Sequence, residues 1–96
     1  MIYYKNIMSL KDLVVCAGSS TTAATGVLTI SNPAIQAGDV AIASFSTAVG
    51  TASAAVQLRA ITTLGTATFT AVDAAGAAVA VAVGVDYFVL KPIVMN

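Results

Sequence analysis

Residues 65–72 read Gly65-Thr66-Ala67-Thr68-Phe69-Thr70-Ala71-Val72. Thr66, Thr68 and Thr70 fall on one side, and Ala67, Phe69 and Ala71 on the other. That period of two is the period of a β-strand, and threonine, valine and phenylalanine suit a pleated, half-buried surface. The same texture extends in both directions. Residues 40–46 set Val40 and Ile42 against Ala41, Ala43 and Phe45, and residues 26–31 set Leu28 and Ile30 against Val27 and Thr29. Further strands are predicted over 54–62, 78–83 and 85–90. Asn32-Pro33, Gly38-Asp39, Gly50-Thr51, Gly65, Asp73-Ala74-Ala75-Gly76 and Lys91-Pro92 punctuate them, because proline cannot donate to a ladder and glycine suits positive-φ turn positions. The expectation is an all-β chain: a compact antiparallel β-sandwich or jelly-roll-like barrel over residues 21–96, with an N-terminal arm over residues 1–20.

Within residues 1–20 two local readings stand side by side. Ser9 caps a short helix, with Asp12 three residues on and Leu10, Leu13 and Val14 on one face, or the segment is an extended strand or arm. Gly18-Ser19-Ser20 reads as a hinge into the β-domain.

The composition narrows the function classes. Ninety-six residues make one domain with one modest core. The chain has no His, Trp or Glu, and only 8% of it is charged, with zero net charge. Hydroxyl nucleophiles are plentiful but lack the base that would activate them. The four aspartates, Asp12, Asp39, Asp73 and Asp86, form no acidic pair or calcium-loop pattern, and Asp39 and Asp73 read as turn residues that bond nearby amides. The glycines make neither a phosphate loop nor a dinucleotide fingerprint. No catalytic, cofactor-binding or metal-binding residue is assigned, and no cofactor is expected. Lys5, Lys11, Arg59 and Lys91 do not cluster, which argues against nucleic acid as a partner. Cys16 is a lone cysteine, read as a small buried apolar group.

A membrane role is the rival explanation for a chain that is 58% hydrophobic. The longest candidate, residues 74–85, is twelve residues bracketed by Asp73 and Asp86, where a spanning helix needs about 20. It also alternates alanine with Val79, Val81 and Val83, a strand period. Most predicted strands are shorter than the roughly 9–11 residues of a membrane barrel. At the N-terminus, Lys11 and Asp12 break the apolar run a secretory leader needs, so the segment reads as part of the mature chain. No membrane partner is expected.

Several strands lack a charged face. Surfaces of alanine, threonine and serine cost little side-chain entropy to bury, and a chain this poor in charge has little solvated surface of its own. Both points lead to strands that meet other subunits.

Three stretches carry a resemblance: residues 25–47 with Ser31-Asn32-Pro33 and Asp39-Val40, residues 61–76 with Gly65-Thr66-Ala67-Thr68-Phe69-Thr70, and residues 83–92 ending Tyr87-Phe88-Val89-Leu90-Lys91-Pro92. Together they resemble small β-structured virion proteins of tailed bacteriophages, of the capsid decoration (cement) or head-fibre type. The resemblance covers residues 25–92 and implies a non-enzymatic structural protein, made in the host cytoplasm. It would sit on the outer capsid surface as a homo-oligomer, a trimer first, with the major capsid protein as partner. The alternative is a phage fibre or tail-associated module that binds a host surface. For docking, Ile2, Tyr3, Tyr4, Ile7, Met8 and Leu10 are the candidate interface residues, since large apolar and aromatic groups carry most interface energy.

Overall fold

A computed structural model of the chain describes residues 13–46 and 54–92. They form six strands: β1 (Val14–Thr21), β2 (Val27–Ser31), β3 (Val40–Phe45), β4 (Gln57–Thr63), β5 (Thr66–Val72) and β6 (Gly84–Leu90). Two three-stranded antiparallel sheets result, sheet A in the order β1-β6-β3 and sheet B in the order β2-β5-β4. The fold is an all-β sandwich. Only the β4–β5 connection stays within one sheet, and every other connection crosses from one sheet to the other.

The β4–β5 turn follows from its residues. Thr63 pairs with Thr66, leaving Leu64-Gly65 to turn the chain, and Gly65 supplies the positive φ of 77°. The turn then leans on the β2–β3 connection, where Gly65 N–H donates to Ile35 O (2.7 Å) and Asn32 N–H donates to Gly65 O (3.0 Å).

Alternation decides the core. Ala67, Phe69 and Ala71 of β5 point inward and are fully buried, with Leu28 and Ile30 of β2 and Leu58 and Ala60 of β4 beside them. From sheet A come Val85, Val89 and Tyr87 of β6 and Ala41, Ala43 and Phe45 of β3. Phe69 and Tyr87 bridge the two layers with ring centroids 5.5 Å apart and tilted by 39°. Beyond the strands, Ile35 inserts from the β2–β3 connection and is completely buried.

Three local expectations are corrected. Gly18-Ser19-Ser20 is not a hinge but the second half of β1, paired with Tyr87, Asp86 and Val85. Glycine is used there because Tyr87 leans across it: a Cβ at Gly18 would lie 2.9 Å from the tyrosine hydroxyl oxygen. Val14, assigned to a helix face in one reading, is also in β1; the rest of that helix reading falls mostly on residues outside the described ones. A register shift between Val14 and Cys16 lets both Val15 and Cys16 pack against the core.

The third correction is residues 78–83, which form no strand beyond a single bridge between Val72 and Ala78. This segment carries the chain from sheet B to sheet A, so its backbone finds partners in passing. Val79 N–H donates to Ala71 O (2.8 Å), while Val83 N–H donates to the buried Thr22 hydroxyl (2.9 Å). That hydroxyl donates in turn to Val81 O (2.7 Å), and Thr22 N–H donates to Val83 O (2.9 Å). A period of two in the side chains does not make a strand where no neighbouring strand runs alongside.

Candidate interaction surfaces

The alternation that fills the core also fixes the outer faces. On sheet A, register aligns Val14 with Leu90 and Val40, then Ala17 with Phe88 and Ile42, then Ser19 with Asp86 and Ser44. The first two rows are apolar and adjoin each other. Val40, Ile42 and Phe88 remain 44%, 50% and 48% exposed. The third row closes the patch with its one charge, and the Ser19 hydroxyl donates to the Asp86 carboxylate. A contiguous apolar sheet face with a polar margin is the character of an interaction surface.

Sheet B differs. Its outer rows are Val27–Thr70–Arg59, Thr29–Thr68–Ile61 and Ser31–Thr66–Thr63, hydroxyl-rich with Ile61 exposed. Arg59 donates to Gly76 O (3.2 Å), which ties the sheet to the β5–β6 crossover. Leu64, at the tip of the β4–β5 turn, is 81% exposed.

The charged groups mostly serve local structure. Asp73 accepts from Ala75 N–H and Ala77 N–H, both at 2.9 Å, in the turn where it was expected. Asp39 is buried just before β3. Its carboxylate accepts from Gln36 N–H (2.9 Å) and from the Lys91 ammonium (3.0 Å), while its carbonyl accepts from the Thr62 hydroxyl (2.7 Å). Lys91 also donates to Ala34 O (3.1 Å), so one side chain fastens the end of β6 to the β2–β3 connection. Cys16 is half-buried against the core rather than buried, and even this partial burial pushes its thiol up from the ordinary range, the direction of an unreactive thiol. Among the described residues, no three of His, Cys, Asp and Glu are grouped to hold a metal ion, and no helix is long and apolar enough to cross a membrane.

The Asp39 cluster carries a pH prediction. The Gln36 amide holds the carboxyl below the ordinary value of 3.8; burial opposes this, and Lys91 adds to it. A folded-state pKa below the unfolded one contributes stability that is full above the unfolded value and is lost as pH falls through the folded one. Lys91→Met removes one lowering influence and leaves the burial. The folded-state pKa of Asp39 then rises, and acid unfolding, followed by circular dichroism, is expected to begin at higher pH than in the parent chain. Coincident acid transitions would show that Lys91 does not act on Asp39.

The sequence-derived interface residues Ile2, Tyr3, Tyr4, Ile7, Met8 and Leu10 lie outside the described residues. Sequence reasoning missed Val40, Ile42, Phe88 and Leu90 as a surface. The signal was present in residues 40–45 and 84–90, where large apolar residues occupy both faces of a strand although a two-layer sandwich buries only one. Comparison of the chain with protein-family models, with curated proteins and with solved structures finds no match.

Proposed function

We propose that this chain is a non-enzymatic virion structural protein, a decoration protein that binds the outside of a tailed-phage capsid as a homo-oligomer and reinforces the coat lattice, with the major capsid protein as its partner. The observation that supports it best is the outer face of sheet A, two adjoining apolar rows across all three strands in a chain with zero net charge. Such a face is costly in water and favourable against another protein surface. The resemblance of residues 25–92 to small phage virion proteins supplies the kind of partner. Reinforcement follows from multivalency, since many copies that each bridge neighbouring coat subunits add modest energies across a shell.

In this reading residues 1–12 help to dock, through Ile2, Tyr3, Tyr4, Ile7, Met8 and Leu10. The test is a binding assay on capsids that lack the protein. The full chain is expected to saturate them at a fixed ratio to coat subunits and to raise the temperature at which the shells open. A chain without residues 2–12, which spares all of β1, is expected to keep its β-type circular dichroism but lose most of the binding. If the full chain does not bind such capsids, the decoration role is wrong. If the shortened chain binds as well as the full one, the docking role of residues 1–12 is wrong.

A further inference from the structure

Each sheet of the sandwich has two edge strands, and natural β-proteins guard such edges against pairing with other chains by shortness, charge, proline or cover. Three of the four edges here are guarded. β2 is five residues long and stops at Asn32-Pro33. Arg59 sits inside β4. β3 lies against β4 of the opposite sheet, where the Thr62 hydroxyl bonds Asp39 O.

β1 has no charge or proline and, among the described residues, no cover, and its one irregularity, the register shift between Val14 and Cys16, lies at its start and leaves residues 16–21 regular. It is the longest of the described strands, eight residues reading Val-Val-Cys-Ala-Gly-Ser-Ser-Thr. It pairs only with β6, and among the described residues no strand lies along its other side. Its side chains are small from Ala17 to Ser20, so nothing bulky bars a neighbouring backbone.

We infer that the β1 edge is where two copies of this chain meet, β1 pairing antiparallel with β1 of a second copy about a two-fold axis, so that the two A sheets become one six-stranded sheet. The occupant is argued from charge and continuity. Asp86 is the one charge on this face of sheet A, and in the joined sheet it lies one strand in from β1. With Ala17 on the axis, the two Asp86 carboxylates are three strand spacings apart across the sheet, about 14 Å, and are further offset along it, well beyond the screening length of about 10 Å at 0.1 M salt. The apolar row Ala17–Phe88–Ile42 meets its own copy across the junction and doubles in length, and a two-fold interface must match itself in this way. This rests on the homo-oligomeric part of the proposed function and not on the capsid. It fits the trimer implied by the resemblance only as three such dimers.

The test uses the purified full chain without capsids, so its failure is distinct from failure of the decoration reading. Sedimentation is expected to give the mass of two chains, or of six. Hydrogen exchange of the β1 amides is expected to slow as concentration rises. Ala17→Lys places a charge on the exposed side of β1 near its middle, where the two copies' lysines face each other. It should weaken association about tenfold while leaving the circular dichroism unchanged. Four results would overturn the inference: a single-chain mass at submillimolar concentration, a mass of three chains alone, β1 exchange independent of concentration, or a folded Ala17→Lys chain that associates as the parent does. Exchange that is slow even in dilute solution would mean that another segment of the same chain fills the edge. Should Ala17→Lys fail to fold, the exchange measurement on the parent chain decides.

Discussion

Replacing Gly26 with alanine is expected to unfold the domain or leave it barely stable. Gly26 has φ 82°, in the left-handed region that costs an ordinary residue about 1–2 kcal/mol. A Cβ there would also lie 2.0 Å from the carbonyl oxygen of Val79, which is backbone and cannot rotate aside. Neither partner is free to retreat. Gly26 N–H donates to Ala23 O (2.9 Å) and its carbonyl accepts from Ala71 N–H (2.9 Å), while Val79 is held by its bond to Ala71 O. The overlap adds to the left-handed cost, and a total above about 4 kcal/mol belongs with severe single substitutions. Small domains have about 5–15 kcal/mol in all. Gly38→Ala and Gly76→Ala are the controls. Both glycines have positive φ, but nothing stands within 4 Å of a Cβ at either. Each should cost only about 1–2 kcal/mol. Urea unfolding of the three variants separates the two effects. Equal midpoints for Gly26→Ala and Gly38→Ala would mean that the β5–β6 crossover does not pass against Gly26.

Phe69→Ala is expected to be nearly as damaging. Phe69 is the largest fully buried side chain among the described residues, at the centre of β5, between Leu28 on β2 and Ala60 on β4 and against Tyr87 of the other sheet. Ala60, Ala67 and Ala71 nearby are too short to fill the space it would leave. The cavity therefore stays open, and the loss should reach about 3–5 kcal/mol. Phe69→Leu keeps part of the volume and should fall between the parent and the alanine variant. If Phe69→Ala shifts the urea midpoint no further than Ile61→Ala, an exposed position on β4, then Phe69 is not the bridge between the sheets.

The candidate surface was only partly legible in advance. The sequence points to association through its low charge and its faces of small side chains, and residues 1–20 stand out by their large side chains. Phe88 and Ile42 did not stand out. Each looks like an ordinary core residue, and only the register that places both on the outward row of sheet A distinguishes them from Val89 or Phe45. Likewise, nothing local marks the β1 edge as open, because an open edge is a property of what lies beside a strand.

What the sequence determined by itself is the period, the punctuation and the chemistry it lacks. Strands β2, β3, β5 and β6 lie within a residue or two of their sequence-predicted spans, and β4 begins three residues late. Local geometry suffices there: alternation sorts side chains to two faces, while Gly65 and Asn32-Pro33 limit where the chain can turn or must leave a ladder. The tertiary structure decided which of two apolar faces is inside, so that β3 buries Ala41, Ala43 and Phe45 and exposes Val40 and Ile42. It made a strand of Gly18-Ser19-Ser20 by placing Tyr87 alongside, and it denied one to residues 78–83 by sending them between the sheets. In each case the deciding quantity is a hydrogen-bonding or packing partner far away in the chain, and a strand exists only where such a partner lies next to it.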